Sequence, residues 1–189
     1  ALDGGMSGIY AYPGTPSTEI TEYVLKSKEA NEGKLVASWT SNEKTAMEAA
    51  LGVSYVGKRG MTCMKHVGLN VAADAFINAA ITGANGGLMV GSADDPSMHS
   101  SQNEQDSRFF GNFAMIPMLE PSSQQEAYDM VHYGYEISEK FGIPVLMRIT
   151  TRLAHSRAGV KRREAHPQNE IKMPGSPRQF ILLPANARH

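Results

Sequence analysis

The chain has 189 residues, 41% of them apolar and 20% charged, with a formal net charge of −1, the composition of one ordinary globular domain with little room for a second. No stretch approaches the roughly 18–20 uninterrupted apolar residues of a membrane span and no basic-then-apolar leader opens the chain, so a cytoplasmic protein without a membrane role is expected. A single cysteine, Cys63, excludes a disulfide framework and any zinc or iron–sulfur centre built from several thiolates of this chain.

In chain order, Ala1 to Gly5 reads as the tail of a helix, and a start without Met marks the chain as a piece of something longer. Short β-like runs then alternate with helix-length amphipathic runs, the pattern of βα units on a mainly parallel sheet. The first pair is a strand over Gly8–Tyr12 and a helix over Pro16–Glu29. A strand over Leu35–Trp39 precedes a helix over Asn42–Tyr55, whose Ala46, Met47, Ala50, Leu51 and Val53 form an apolar face. Strands over Met61–Met64 and Leu88–Gly91 flank a helix over Leu69–Thr82. From Ala93 to Phe109 the sequence is polar without an apolar period, a length of loop that is usually functional or disordered. A strand over Met115–Leu119 follows, and then a helix with two possible capping boxes, Ser122/Gln125 and Ser123/Glu126, closed by Gly142. Pro144–Ile149 is the last strand.

Residues 1–155 form the predicted domain, and 156–189 a tail ending in the apolar patch Phe180–Pro184. The tail carries seven Lys/Arg (Arg157, Lys161, Arg162, Arg163, Lys172, Arg178, Arg188) against Glu164 and Glu170, leaving eleven basic and seventeen acidic side chains in the body. An acidic body lacks the clustered cations of a nucleic-acid surface. The tail reads as a solvated linker or a strap on an acidic neighbour.

In open α/β sheets ligands bind beyond the carboxyl ends of the strands, so the segments there carry the candidate chemistry. In Tyr12-Pro13-Gly14-Thr15-Pro16-Ser17, Thr15 is placed as an N-cap with Pro16 at the first helical position, and the helix start suits a carboxylate or phosphate. In Thr40-Ser41-Asn42-Glu43, Glu43 either complements the helix dipole or points into the crevice as an acid/base group. In Lys65-His66-Val67-Gly68-Leu69-Asn70, read as a loop, Lys65 and His66 could polarise a carbonyl or pair with a carboxylate, or be a surface Lys and a hydrogen-bonded His. The run Asp94-Asp95-Pro96-Ser97-Met98-His99 through Arg108 lacks compact metal-ligand spacing and reads as a hydrogen-bonded lid. Arg108 is either a bidentate carboxylate clamp or one half of a surface ion pair.

Together these segments resemble the 2-oxoacid:ferredoxin oxidoreductases, whose Tyr-Pro-x-Thr-Pro-Ser signature matches Tyr12 to Ser17. Asn42-Glu43-Lys44, Met64 to Asn70, Ala93 to Asp106 and the Leu182 to Arg188 run are similar to the α subunits of the indolepyruvate branch. The resemblance implies the pyrimidine-binding domain of a thiamine diphosphate enzyme that oxidatively decarboxylates aryl 2-oxo acids to aryl-acetyl-CoA and reduces ferredoxin. It implies that the Glu43 carboxyl hydrogen-bonds the pyrimidine ring nitrogen and favours its imino tautomer. It places Thr15 near the substrate carboxylate, and sets Gly68 and Asn70 against the cofactor where other thiamine enzymes carry a Ser-Gly-Pro-Gly type loop. Lys65 or His66 would steady the substrate carboxylate or the enolate-like adduct, with Arg108 as a further carboxylate partner. No Gly-Asp-Gly…Asn motif and no cysteine-rich segment occurs, so Mg²⁺ and 4Fe–4S clusters are expected only in other parts of the enzyme. Expected partners are the diphosphate-binding domain, a β subunit, ferredoxin, coenzyme A and further copies of the chain. The alternatives are the same chemistry on another 2-oxo acid, or a non-catalytic module for assembly or dimerisation.

Overall fold

A computed structural model describes residues 1–187; Arg188 of the basic tail lies outside the described residues. After a 3-10 turn at Leu2–Gly4 the chain forms β1 (Gly8–Ala11), α1 (Thr18–Leu25), α2 (Lys28–Asn31), β2 (Val36–Trp39), α3 (Glu43–Tyr55), β3 (Gly60–Lys65), α4 (His66–Thr82) and β4 (Leu88–Asp94). It continues through α5 (Arg108–Ala114), β5 (Met118–Leu119), α6 (Gln124–Phe141), β6 (Val145–Thr150) and α7 (Thr151–Ala154). The tail holds only a 3-10 turn at Pro177–Phe180 and α8 (Pro184–Ala187).

The strands make one six-stranded sheet in the order β2-β1-β3-β4-β6-β5, and every neighbouring pair is parallel. Parallel pairing demands crossover connections, which cover both faces of the sheet, so the expected three-layer α/β/α arrangement results. On one face Met47, Ala50 and Leu51 of α3 and Leu69, Ala72, Phe76 and Ala79 of α4 pack over Met64, Leu88, Val90 and Leu146. On the other, Val24 of α1 and Val131 and Tyr135 of α6 cover Ile9, Met61, Met89, Val145 and Met147. Cys63 lies in this second core, where burial pushes its thiol pKa up to about 12. Helix α3 can lie close on β3 because residue 60 is Gly: a Cβ there would stand 2.5 Å from the Ala50 carbonyl oxygen. The chain leaves β1 toward β2 and then crosses back to β3, so the strand order reverses at β1/β3. That reversal opens a crevice at their carboxyl ends.

Several elements differ from the sequence-based expectation. The helix over Pro16–Glu29 is two helices, because Ser27 starts α2 by accepting a hydrogen bond from the Ala30 amide at 3.2 Å. Thr15 is not an N-cap. The Ser17 amide and hydroxyl both donate to the Gly14 carbonyl, at 2.8 and 2.6 Å, in a turn that delays the helix to Thr18. Lys65 to Asn70 is not a loop either: β3 runs directly into α4, with Lys65 at the N-cap and His66 as the first helical residue. Strand β4 continues beyond Gly91 because its polar end pairs across to β6, Ser92 opposite Arg148 and Asp94 opposite Thr150. The strand expected over Met115–Leu119 shrinks to β5, since α5 forms before it and Met115 caps α5 in the left-handed conformation at φ 54°. Of the two capping boxes, Ser123/Glu126 forms: the Ser123 side chain accepts from the Glu126 amide at 3.2 Å, while the Glu126 carboxylate accepts from the Ser122 amide at 2.7 Å.

The tail lies on the chain's own acidic body. Arg162 pairs with Asp3, which also accepts from the Tyr128 hydroxyl at 2.7 Å, and Arg163 meets Asp129 at 2.8 Å. Further along, Gln168 donates to the Met6 and Lys34 carbonyls at 3.1 and 2.7 Å. The Lys172 amide donates to Val56 at 2.9 Å, and the Phe180 ring sits 4.1 Å from that of Tyr55. No helix among the described residues is long and apolar enough to cross a membrane.

Candidate functional site

The carboxyl ends of β1, β2 and β3 bring Glu43, Gly68, Lys65 and Thr15 into one neighbourhood. Asn42 caps α3 by accepting from the Thr45 amide at 2.9 Å, which makes Glu43 the first helical residue. Instead of folding back on its own helix end, the Glu43 side chain reaches across to the first turn of α4. A Cβ on Gly68 would lie 2.7 Å from both Cγ and Oε1 of Glu43, so the carboxylate rests on bare glycine backbone. Glu43 is half-buried, and among the described residues its carboxylate has no hydrogen bond and no ion pair.

Lys65 stands beside this group. Its stem packs on Gly14 of the β1 loop, where a Cβ would lie 3.3 Å from Lys65 Cδ, and its Nζ donates to the Ser100 carbonyl at 3.0 Å. Thr15 is exposed on the same loop, and the Ser100 hydroxyl approaches its carbonyl at 3.4 Å. Thr15, His99, Ser100, Thr151, Arg152 and His155 line a hollow of about 410 Å³, a size suited to a small ligand. His66 is 1% exposed, and neither ring nitrogen has a hydrogen-bond partner among the described residues. Asn70 is exposed on α4.

Arg108 does not join the cluster. Its guanidinium grips Asp106, with Nε at 2.9 Å from Oδ1 and Nη2 at 2.7 Å from Oδ2, and it faces Glu120 at 3.7 Å. These groups lie at the β6–β5 side of the sheet, where Arg108 borders a different hollow of about 860 Å³. There a buried network holds the chain together. Asp94, with no exposed surface, accepts from the Ser107 amide at 3.0 Å and from Arg148 Nε at 2.5 Å, and Arg148 also pairs with Glu120. Arg148 and Asp95 are the important side chains whose roles the sequence did not disclose. The available signal was an arginine inside the apolar run Val145–Ile149 and a pair of acids ending an otherwise buried strand. Among the described residues, no group of three or more His, Cys, Asp or Glu side chains is placed to hold a metal ion.

The family model described as "Pyruvate flavodoxin/ferredoxin oxidoreductase, thiamine diP-bdg" matches residues 1–183. The chain belongs to this family. It is a thiamine diphosphate-binding domain of the 2-oxoacid:ferredoxin oxidoreductase kind. Relatives named indolepyruvate oxidoreductase subunit IorA are 50% identical in Pyrococcus abyssi and 45% in Archaeoglobus fulgidus, each over the whole chain. The chain spans 30% and 31% of those relatives' length. A 2-oxoglutarate synthase subunit KorA of Methanothermobacter marburgensis is 26% identical over 94% of the chain and 48% of its own length. A solved 2-oxoglutarate:ferredoxin oxidoreductase from Magnetococcus marinus shares the fold, with a TM-score of 0.68 at 24% identity over 81% of this chain and 27% of that one. At this crevice the half-buried Glu43 carboxylate, without a hydrogen-bond partner among the described residues, is seated on the Gly68 backbone, where it could meet a cofactor ring. A flat heterocycle with a ring nitrogen to hydrogen-bond fits that donor set.

Proposed function

We propose that the chain is the pyrimidine-binding domain of an indolepyruvate-type 2-oxoacid:ferredoxin oxidoreductase, with Glu43 as the group that activates the aminopyrimidine. The observation that carries this reading is the Glu43 carboxylate, half-buried, unpaired among the described residues and seated on Gly68 at the β1/β3 crevice. When bound, thiamine diphosphate supplies the carbon nucleophile that makes decarboxylation of a 2-oxo acid possible. Glu43 would hold a proton between its carboxyl oxygen and the pyrimidine ring nitrogen, and take it back in the reverse step. A carboxyl can do both; an amide cannot. Gly68, and with it Asn70 on the same turn, would lie against the ring.

Thr15 and Lys65 would receive the substrate carboxylate. Lys65 spends one of its three N–H donors on Ser100 and keeps two for an anion. Lys65 is favoured over His66, which is buried. Arg108 would need to leave Asp106 before it could serve. Residues 1–155 act as the domain and 156–189 as its tether to the diphosphate-binding domain, where Mg²⁺ would be held. Reducing equivalents would pass through 4Fe–4S clusters elsewhere in a cytoplasmic enzyme to ferredoxin. Coenzyme A, a β subunit and a second copy of the chain complete the proposed assembly. The 45–50% identity to indolepyruvate enzymes, against 26% to a 2-oxoglutarate one, supports an aryl substrate.

The test uses the full-length subunit with its partner and follows coenzyme A-dependent reduction of a viologen dye by indolepyruvate, phenylpyruvate and 2-oxoglutarate. Glu43→Gln is expected to lower turnover by about 10²-fold or more, the usual scale of a lost acid/base group. Wild-type turnover in that variant would sink the mechanism, and preference for 2-oxoglutarate would sink the substrate class.

A further inference from the structure

Asp95 follows β4 and has no exposed surface, yet among the described residues no cation pairs with it. Neutral donors satisfy it instead. Its Oδ2 accepts from the Ser100 amide at 2.8 Å, the Ser101 hydroxyl at 2.7 Å and the Ser100 hydroxyl at 3.3 Å, and its Oδ1 accepts from the Thr151 hydroxyl at 2.7 Å. Burial alone would push its pKa up, but these donors outweigh burial and hold the carboxyl well below the usual range, so it is ionised. A buried anion thus ties the long loop after β4 to the start of α7.

The loop residue it grips is the one that holds the lysine. Ser100 gives its amide to Asp95 and its carbonyl to Lys65 Nζ, while its hydroxyl reaches toward the Thr15 carbonyl. The Lys65 stem is braced on its other side by Gly14. Ser100 and Thr151, both bonded to Asp95, also line the hollow that Thr15 borders. Within the loop, the Glu104 carboxylate accepts from the Ser97 amide at 3.0 Å.

We propose that Asp95 is a positioning residue for substrate-carboxylate recognition, setting the Lys65 ammonium and the Thr15 wall through Ser100. The proposal rests on the reading of Lys65 as the carboxylate's partner. Asp95 touches no substrate. It acts by removing freedom from the loop, so that Lys65 meets its anion already oriented.

A double-mutant cycle on the full-length enzyme separates the two claims. Lys65→Met alone tests the underlying reading: an unchanged KM for indolepyruvate removes Lys65 from the site and this proposal with it. Given a raised KM in Lys65→Met, Asp95→Asn is expected to raise the KM for indolepyruvate by about ten-fold, with a smaller effect on kcat and none on the KM for coenzyme A. Added to Lys65→Met, it should change nothing more. Equal effects of Asp95→Asn in both backgrounds, or a loss confined to kcat, would mean that Asp95 serves only the fold. Should Asp95→Asn fail to fold, Ser101→Ala removes one donor from the same carboxylate without touching the core. It should raise the same KM about two- to three-fold in the wild type and not in Lys65→Met; no rise in the wild type, or an equal rise in both, refutes the proposal.

Discussion

Replacing Gly68 by Ala separates what the crevice needs from what the fold needs. Gly68 is a buried residue in the first turn of a seventeen-residue helix, at a helical φ where Ala is preferred to Gly by about 0.5–1 kcal/mol. The new methyl would stand 2.7 Å from Glu43 Cγ and Oε1, whereas ordinary contact begins at 3.4 Å. The atoms in its way belong to the mobile end of a side chain, so Glu43 can swing aside without moving backbone. The carboxylate must retreat by the difference, about 0.7 Å, and a misplacement near 1 Å at a reacting group costs about 10²-fold in rate. Stability and activity should therefore part company. The variant should melt at the wild-type temperature or up to about 2–4 °C above it for a domain of this size. The full-length enzyme should meanwhile lose about 10²-fold in viologen reduction, with little added loss in the Glu43→Gln background. Scanning calorimetry and the dye assay read the two quantities. Full activity in Gly68→Ala would refute the claim that this glycine seats Glu43, and a drop in melting temperature of more than about 5 °C would show that the residue serves packing instead.

Two further outcomes follow from the ion pairs. Arg148→Met strands the buried Asp94 carboxylate and should lower stability by about 3–5 kcal/mol in urea titrations; a loss below about 1 kcal/mol would mean that Ser107 alone satisfies Asp94. The Arg162 hydrogen bond, with Tyr128 assisting against burial, holds the Asp3 carboxyl down to about pKa 2, below the value near 3.9 of an unfolded chain. A depressed carboxyl stabilises the fold fully above its unfolded pKa and loses that effect as pH falls through its folded one. The gap in urea midpoint between wild type and Asp3→Asn should thus be constant above about pH 5 and close as pH falls from 4 to 2. Because Arg162 is 72% exposed, added salt should narrow the gap as well. A gap unchanged down to pH 2 would show that the pair contributes nothing through its charge.

What the sequence disclosed was local. The alternation of runs yielded the sheet class because period and length are properties of neighbouring residues, and the Ser123/Glu126 box announced α6 because both partners lie within one turn. What it concealed depends on distant pairs. Ser92 and Asp94 look like loop residues until Arg148 and Thr150 come alongside them on β6. Gly68 fell in a segment read as a loop, yet it is a helical residue under Glu43. The Thr15-Pro16 start had the composition of a cap, yet the preceding Gly14–Ser17 turn claimed the donors first. Asp95 could be seen only as one of several acids, since its four bonds reach Ser100, Ser101 and Thr151.

The basic tail leaves the sheet at its carboxyl edge and fastens along its amino edge. All carboxyl ends face one way, so the chain leaves β6 on the same edge as Glu43, Lys65 and Thr15, with α7 beside the crevice loops. The tail then descends along α6, from Gln124 and Ser156 to Gln125 and Lys161 and on to Asp129 and Arg163. It turns under the amino ends, where Gln168, Asn169 and Gln179 of the tail donate to the Lys34, Gly57 and Thr82 carbonyls, and Asn85 of the body donates to the Lys172 carbonyl of the tail. Lys34 precedes β2, Gly57 follows α3 and Thr82 ends α4, so the tail supplies donors to carbonyls at the ends of these elements. Two of its cations, Arg162 and Arg163, meet Asp3 and Asp129 on the same path, so part of the tail's charge is paired with the body's own carboxylates. Among the described residues, none of the tail's bonds from Gln168 onward reaches the crevice residues. From Gln168 on, the strap and the crevice therefore lie at opposite ends of β1 and β2, whose four residues each span about 13 Å.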